Sequence, residues 1–318
     1  MSRIVIALGG NALQKADEAA TAENQIKNIQ QTAVHLVEMI KNGHDVVLAH
    51  GNGPQVGRIV QQNDFASEIT PAMPFDVCSA MSQGMIGYHI QQCIGNLLNK
   101  EKIDKQVASI VTQVVVDKDD PKFQSPSKPI GKFYTEEEAA RIMSENPDFV
   151  FKEDANRGWR RVVASPLPND ITEIDVVRTL LDNNFVTVTV GGGGIPVVRK
   201  EDGELEGVSA VIDKDFAAEL LAEKLDADVL MILTAVDHVF INYGKADQEE
   251  LKSINSDQAR EYISQSQFAA GSMLPKIEAA IKFADSKMGR RCIITSLENA
   301  SKALNESYGT IVTNTSYN

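Results

Sequence analysis

The chain has 318 residues, of which 43% are hydrophobic, and a formal net charge of −13, so it can bury a large core but lacks the broad positive surface that nucleic acids and anionic membranes require. Its three cysteines, Cys78, Cys93 and Cys292, are scattered without metal-ligand spacing, which argues against a disulfide framework or a zinc site and favours a reducing, cytoplasmic location. No apolar stretch approaches the roughly 18 residues of a membrane span, and we therefore expect no membrane partner.

The first third of the sequence alternates apolar runs with amphipathic segments. This pattern predicts strands over 4–8 and 46–49, and helices over 22–42, from about 53 and over 77–99. In the first helix, apolar residues recur every three or four positions from Ile26 to Ile40, and Gly43 is placed to end it. The β-branched run 107–116 predicts one continuous strand that is covered on both faces of a parallel sheet.

The segment 117–168 is rich in proline, lysine and glutamate, and it predicts a subdomain inserted at 118–166. Thr135 and Glu138 have the capping-box spacing that opens a helix. A hairpin is expected between 149–151 and 161–163, around Asn156-Arg157-Gly158. Long insertions between regular elements often serve as lids or binding loops; the alternative is a surface segment that only decorates the fold.

The second half returns to alternating strands and helices. We predict strands over 186–190, 229–233, 292–295 and 310–313, a hairpin-like segment at 239–241, and helices after Asp213 and near Ser272. The repeated order of strand and helix predicts an α/β fold, a three-layer αβα sandwich with a mostly parallel central sheet. In such folds ligands bind at the carboxyl ends of the strands.

Three glycine-rich turns directly follow predicted strands. They are Gly9-Gly10-Asn11, Gly51-Asn52-Gly53 and Gly191-Gly192-Gly193-Gly194. Glycine allows the backbone to approach a ligand closely and leaves amide groups free to point at negative charge. A single turn of this kind could merely connect a strand to a helix, but three at the same end of parallel strands predict a floor that binds an anion such as phosphate.

Two lysines fall in the first turns of predicted helices, where the helix dipole disfavours a cation. Lys214 follows Asp213, a predicted N-cap, and Lys276 follows Ser272, another predicted N-cap. An anionic ligand would compensate both lysines; the alternative is two solvated side chains that tolerate a small penalty. Lys128, in the inserted subdomain, is a third candidate because the following proline biases its backbone toward an extended conformation.

The second glycine turn also allows another interpretation. Gly51-Asn52-Gly53-Pro54-Gln55-Val56-Gly57, with Glu68 downstream, approximates a dinucleotide-binding fingerprint. A dinucleotide-dependent oxidoreductase is therefore an alternative, although no residue set for hydride transfer accompanies the pattern. Walker A spacing and a G-x-S-x-G elbow are absent, and the five histidines have no metal-ligand spacing.

Motifs along almost the whole chain resemble those of carbamate kinases, which belong to the amino-acid-kinase superfamily. They are Ala7-Leu8-Gly9-Gly10-Asn11-Ala12, His50-Gly51-Asn52-Gly53-Pro54-Gln55-Val56-Gly57, Ser82-Gln83-Gly84, Thr112-Gln113-Val114, Lys128-Pro129-Ile130-Gly131, Glu153-Asp154 with Arg157-Gly158-Trp159-Arg160, Gly192-Gly193-Gly194-Ile195-Pro196, Val211-Ile212-Asp213-Lys214-Asp215 and Gly271-Ser272-Met273-Leu274-Pro275-Lys276.

The resemblance implies the amino-acid-kinase fold, with a carbamate and carbamoyl-phosphate lobe at 1–185, a protruding lid subdomain at 118–166 within it, a nucleotide lobe at 186–318, and assembly as a homodimer. It implies reversible phosphoryl transfer between ATP and carbamate to give ADP and carbamoyl phosphate, run toward ATP in arginine- or agmatine-degrading bacteria. Mg²⁺ would be held mainly by the nucleotide phosphates, with no protein ligand assigned. Kinases of the acetylglutamate or UMP type and a non-catalytic ligand sensor on this fold are the alternatives.

The resemblance also implies roles for individual residues. The expected catalytic residues are Lys128, Lys214 and Lys276. Carbamate or phosphate groups are expected at Gly9, Gly10, Asn11, Gly51, Asn52, Gly53, Gly192, Gly193 and Gly194. The nucleotide is expected at Asp213, Asp215, Tyr243 and Met273, with the last two placed against adenine.

Overall fold

The fold is organised around an eight-stranded sheet within residues 2–15, 18–154, 157–305 and 308–314, which the computed structural model describes. The strands are β1 (Arg3–Leu8), β2 (Asp45–His50), β3 (Val107–Ser109), β4 (Gln113–Val116), β5 (Lys128–Tyr134), β6 (Val150–Glu153), β7 (Trp159–Val163), β8 (Pro168–Ile171), β9 (Val186–Val188), β10 (Ile195–Arg199), β11 (Leu205–Gly207), β12 (Val229–Thr234), β13 (Val239–Ile241), β14 (Glu249–Leu251), β15 (Ser253–Asn255), β16 (Arg291–Ser296) and β17 (Thr310–Thr313). The helices are α1 (Ala22–Lys41), α2 (Gly53–Ala66), α3 (Phe75–Lys100), α4 (Glu136–Glu145), α5 (Ile174–Asp182), α6 (Lys214–Lys224), α7 (Ser256–Ser264), α8 (Met273–Ser286) and α9 (Ala300–Asn305).

The main sheet has the strand order β15-β17-β16-β12-β1-β2-β9-β3. Its neighbouring strands pair in parallel, except for the antiparallel pair of β16 and β17. The prediction of a mostly parallel sheet is therefore confirmed. Because β1 lies between β2 and β12, the turns that follow these three strands meet at one edge of the sheet, which is where ligands bind in such folds.

Helices cover both faces of this sheet. In β1, Ile4, Ile6 and Leu8 join a core that includes α1, α3 and α9, whereas Val5 and Ala7 join a core that includes α5, α6, α7 and α8. A strand that is apolar at every position is expected where both faces are buried. The predicted three-layer sandwich is confirmed, and it places the first turns of α6 and α8 on the same side of the sheet.

The helix α1 follows the sequence prediction closely. Thr21 occupies its N-cap and accepts a hydrogen bond from the Asn24 amide. Gly43 has a left-handed backbone, with φ of 84°, directly after the helix end. Glycine adopts this conformation without steric cost, which explains why the helix stops there.

The run 107–116 forms two strands in different sheets, so the prediction of one continuous strand is wrong. β3 pairs with β9 in the main sheet, whereas β4 pairs with β8 and β10 in a smaller, four-stranded sheet. At the break, the Thr112 amide donates to Gln83 Oε1 at 2.8 Å and its hydroxyl donates to the Ile110 carbonyl at 2.8 Å. These bonds satisfy backbone groups that a continuous ladder would otherwise have paired.

The inserted segment contains α4 and a three-stranded antiparallel sheet with the order β5-β7-β6. Thr135 and Glu138 form the predicted capping box of α4. The predicted hairpin is the pair β6 and β7; Asn156, which was expected in its turn, lies outside the described residues. The boundaries of this subdomain at 118–166 and of the two lobes stay predictions.

The three cysteines are free and buried. Burial raises the pKa of each thiol, which keeps them in the weakly reactive protonated form. Among the helices of the described residues, none is long and apolar enough to cross a membrane.

A buried carboxyl in α6 makes the stability of the fold depend on pH. Glu219 is fully buried, its Oε2 accepts from Lys282 Nζ at 2.6 Å, and burial raises its pKa to about 7. Between the ordinary value of 4.5 and this value, the folded chain keeps a proton that the unfolded chain has lost. The free energy of unfolding therefore falls as pH rises through this window.

Glu219→Gln is expected to remove this fall. The difference in unfolding free energy between variant and wild type should grow by about 3 kcal/mol from about pH 5 to about pH 8. Urea unfolding across this range measures it. Glu278→Gln, at an exposed position of α8, is the control and should leave the pH dependence unchanged; an equal pH dependence in wild type and Glu219→Gln would contradict the assignment.

Candidate functional site

A cavity of about 340 Å³ brings together two glycine turns and the three candidate lysines. We call it the smaller cavity. Its lining includes Gly51, Asn52, Gly53, Gly192, Lys128, Lys214 and Lys276. The glycine turns after β2 and β9 and the first turns of two helices therefore face one space, as the sequence predicted for the lysines.

The turn after β9 has a backbone that only glycine adopts easily. Gly192, Gly193 and Gly194 have φ values of 67°, 92° and 88°. A β-carbon on Gly192 would collide with the Asn52 side chain, and one on Gly194 would collide with Val114. These glycines are required both by backbone conformation and by space, and Gly193 and Gly194 face protein atoms of Ile212 and Val114 rather than the cavity.

His50 supports the turn that follows β2. Burial lowers its pKa to about 4, so its ring is neutral near pH 7. Its Nδ1 lies 2.9 Å from the Gly51 carbonyl, and because a carbonyl can only accept, Nδ1 carries the proton. A β-carbon on Gly191 would collide with the other side of the ring, so this histidine joins two glycine turns by packing.

One carboxylate holds the two lysines that the sequence singled out. Lys214 Nζ donates to Asp215 Oδ1 at 2.5 Å, and Lys276 Nζ donates to Asp215 Oδ2 at 2.7 Å. The lysine side chains are only 16% and 14% exposed, and that of Asp215 is 4% exposed. The alternative of two solvated lysines is therefore wrong: tertiary packing has buried both ammonium groups around one carboxylate.

The charges of this cluster stabilise one another. Burial alone would raise the pKa of Asp215, but the ammonium groups of Lys214 and Lys276 outweigh burial and lower it to about 2. Burial lowers the pKa of Lys214, Asp215 opposes this change, and the like charge of Lys276 adds to it. Asp215 therefore keeps two cations together that would otherwise repel each other.

Asp213 connects the first turn of α6 to the inserted subdomain. Its Oδ1 accepts from the Asp215 amide at 3.0 Å, which makes it the N-cap that the sequence predicted. Its Oδ2 accepts from Lys128 Nζ at 2.9 Å. Three ammonium groups and two carboxylates thus leave one excess positive charge at the smaller cavity, which favours an anion. We call residues 128–131, which carry Lys128, the Lys128 arm.

A second cavity, of about 860 Å³, shares the lysine pair with the first. We call it the larger cavity. Gly9, Gly10, Thr234 and Ala235 line it, and so do Lys214 and Lys276. From the sequence, Gly9 and Gly10 are expected in one site with Gly51 and Gly53, but in the structure the two groups of glycines line different cavities. The side chain of Asn11 lies outside the described part of the chain.

Other expected residues do not reach these cavities. Tyr243 and Met273 line neither of them; Tyr243 is exposed beside Phe240, and Met273 packs against a hydrophobic core. Their contacts with adenine stay predictions. Ser272 occupies the N-cap of α8, but its side chain makes no capping hydrogen bond.

Sequence reasoning assigned no role to a group of polar residues behind the smaller cavity. Gln83 Nε2 donates to the Gly191 carbonyl at 2.8 Å while Gln83 Oε1 accepts from Thr112. Asn52 Nδ2 donates to Ser82 Oγ at 2.7 Å. These buried bonds fasten both glycine turns to α3. A signal for this group was present in the motifs Ser82-Gln83-Gly84 and Thr112-Gln113-Val114, whose polar residues interrupt otherwise apolar segments.

Known proteins resemble this chain over nearly its full length. The model of the amino acid kinase family matches residues 2–296. A carbamate kinase of Clostridium perfringens is 53% identical, covering 97% of this chain and 98% of the relative. Carbamate kinase 1 of Enterococcus faecium is 52% identical, covering 98% and 99%. A solved carbamate kinase of Giardia lamblia, bound to AMP-PNP, is 45% identical with a TM-score of 0.94 and 98% coverage of both chains.

Proposed function

The chain belongs to the carbamate kinases of the amino acid kinase family, and from this membership we propose that its two cavities hold the two partners of phosphoryl transfer between ATP and carbamate. A carbamate kinase is a phosphotransferase with a carboxyl-group acceptor, and it interconverts ATP and carbamate with ADP and carbamoyl phosphate. The observation that carries the proposal is that Lys214 and Lys276 line both cavities.

We assign carbamate or carbamoyl phosphate to the smaller cavity and the nucleotide phosphates to the larger one. The smaller cavity has the size of a compact ligand, and it places Gly51, Asn52 and Gly53 beside Lys128. Gly9 and Gly10 would face the nucleotide phosphates, because they share the larger cavity with the lysine pair. Backbone amides at glycine turns suit both kinds of anion.

Carbamate is itself an anion, so its oxygen can attack the γ-phosphorus without a general base. The chain then has to align the reactants and neutralise the charge of the transferring group. We assign Lys214 and Lys276 to the phosphoryl group and to the leaving oxygen on its β side. Lys128 would exchange its bond with Asp213 for one to the ligand at the carbamoyl end.

A divalent metal is expected with the nucleotide. Within residues 2–15, 18–154, 157–305 and 308–314, no group of three or more histidine, cysteine or acidic residues could hold a metal ion. Both oxygens of Asp215 are occupied by lysines. We expect Mg²⁺ to arrive on the nucleotide phosphates, as such ions usually do, and when bound it would neutralise phosphate charge.

A dinucleotide-dependent oxidoreductase fits the same residues less well. The last glycine of the fingerprint-like pattern, Gly57, packs against the backbone of Gly131 in the inserted segment. The second residue, Asn52, packs against Gly192. In a dinucleotide-binding motif the last glycine packs the helix against its own strand, whereas here it packs on the inserted segment.

The decisive assay is ATP formation from ADP and carbamoyl phosphate. We expect this reaction, and no transfer from ATP to acetylglutamate or UMP under the same conditions. Lys276→Met protein, purified in parallel, measures any contaminating kinase. Transfer to acetylglutamate or UMP without ATP formation from carbamoyl phosphate would overturn the proposal. The ATP-forming direction in the cell and the cytoplasmic location stay predictions.

We propose that the protein is a homodimer that associates through α3. Val77, Met81 and Tyr88 are exposed apolar residues at helical spacing on α3, and Val34 is exposed on the helix α1 that packs against it. Apolar patches of this kind mark interfaces. Met81→Glu should convert a dimer into a monomer in light scattering, whereas Met288→Glu, at an exposed site after α8, should not. A wild-type monomer would contradict the proposal.

A further inference from the structure

We infer that Arg160 is a positioning residue for the Lys128 arm, because it fastens an irregular part of β5 to Asp154 and so sets where Lys128 is presented to the smaller cavity. This inference rests on the role proposed above for Lys128. It gives a function to the motif Glu153-Asp154 with Arg157-Gly158-Trp159-Arg160, which the proposed function leaves unexplained.

The strand β5 loses its regular pairing directly after the residues that line the cavity. Lys128, Pro129 and Ile130 pair with Val163, Val162 and Arg161, and the register then shifts before Tyr134 pairs with Trp159. Gly131 lies in this irregular part, with φ of 70°. A bulge re-aims neighbouring side chains, and the regular ladder does not fix the chain at Gly131. Some other contact has to hold it.

Arg160 supplies that contact. Its Nη2 donates to the Gly131 carbonyl at 3.2 Å and its Nη1 donates to Asp154 Oδ2 at 3.2 Å. The guanidinium carbon lies 5.2 Å from the centre of the Phe133 ring. A planar guanidinium with several fixed donors can join two acceptors and an aromatic face at once. Arg160 therefore joins Gly131, in the irregular part of β5, to Asp154, which directly follows β6.

The fastened segment lies directly against the site. Pro129 and Ile130 line the smaller cavity together with Lys128. Gly131 packs on α2, since a β-carbon added to Gly57 would lie 3.5 Å from the Gly131 nitrogen, at van der Waals distance. Because α2 begins at Gly53, the position of Gly131 relates the Lys128 arm to the glycine turn of the same cavity. A shift at Gly131 would displace Lys128 from the anion.

Arg157 is a natural matched control. It also donates to Asp154, at 3.3 Å, and its guanidinium carbon lies 5.0 Å from the Phe133 ring centre. Its side chain is 62% exposed, compared with 23% for Arg160. The hydrogen bond to Gly131 is described for Arg160 alone of these two residues. The two arginines have the same charge, and both contact the Asp154 carboxylate and the Phe133 ring. They differ in their contact with the Lys128 arm.

The experiment is a double-mutant cycle on kcat/KM for ATP formation from ADP and carbamoyl phosphate. We expect Arg160→Gln to lower kcat/KM on the order of 10- to 100-fold, because small displacements of a catalytic group have effects of this size. Arg157→Gln should change it by less than about twofold. In a Lys128→Ala background, Arg160→Gln should have almost no further effect, because the two changes act through one residue.

The outcomes are distinguishable. The inference would be overturned if Arg160→Gln lowered kcat/KM by the same factor in the wild-type and Lys128→Ala backgrounds. It would also be overturned if Arg157→Gln lowered kcat/KM as much as Arg160→Gln does. Either result would leave the proposed function intact. No loss from Lys128→Ala alone would overturn the role of Lys128 and this inference with it. If Arg160→Gln does not fold, Arg160→Lys replaces it: lysine keeps the charge but can reach only one of the two acceptors, and the same cycle is measured.

Discussion

Replacing Lys214 or Lys276 by alanine is expected to lower kcat by roughly 10²- to 10³-fold, the usual scale for removing one preorganised charge at a developing anion. Both side chains line the two cavities where the proposed reactants meet. The fold should survive each change, because the remaining lysine still pairs with Asp215. Steady-state assays of ATP formation with saturating ADP measure the loss.

Two further variants sharpen this test. Lys214→Met keeps the methylene stem that packs against Gly51, so any loss it shares with Lys214→Ala comes from the ammonium group. Lys224→Ala, at the far end of the same helix and paired with Asp170, should leave kcat unchanged. A loss of less than about threefold in both Lys214→Ala and Lys276→Ala, with thermal unfolding unaltered, would remove these residues from the proposed mechanism.

Asp215→Asn should be more damaging to the fold than either lysine change. It removes the carboxylate that pairs with both buried lysines, and breaking a buried ion pair in this way costs about 3–5 kcal/mol. It also removes the charge that opposes the lowering of the Lys214 pKa by burial and by Lys276. Lys214 should then lose its proton at a lower pH than in the wild type.

The loss of the Asp215 charge fixes the direction in which the pH dependence of activity shifts. In the wild type, activity requires protonated Lys214 and is lost when this lysine loses its proton at high pH; in Asp215→Asn, the same loss should begin at lower pH. Profiles of kcat against pH measure the shift. Asp170→Asn breaks the pair with Lys224 at the far end of α6 and should leave the profile in place. An unchanged alkaline limb in Asp215→Asn would show that Lys214 does not depend on this carboxylate.

Local rules were sufficient to predict the elements that position the site. The spacing of apolar residues and Gly43 gave the extent of α1, and the N-cap Asp213 gave the start of α6. The unfavourable place of Lys214 and Lys276 in first helical turns correctly marked them as unusual, because a cation at the positive end of a helix needs compensation.

Contacts between residues distant in sequence could not be predicted in this way. The compensation comes from Asp215 itself, which reaches Lys276 only because α6 and α8 pack side by side. The break at Thr112 depends on Gln83 from another helix, and the polar residues that interrupt the apolar run do not identify this partner. Gly9 and Gly10 line the larger cavity and Gly51 and Gly53 the smaller one, a difference that the backbone chemistry shared by these turns does not reveal.

The arrangement of the two cavities has a consequence for the kinetic scheme. Apart from Lys214 and Lys276, the residues that line one space are not those that line the other. If each cavity holds one reactant, the second reactant can bind while the first is still bound. Neither reactant forms part of the binding site of the other. Such an enzyme would bind its two reactants in random order, and either order of binding would lead to the same ternary complex.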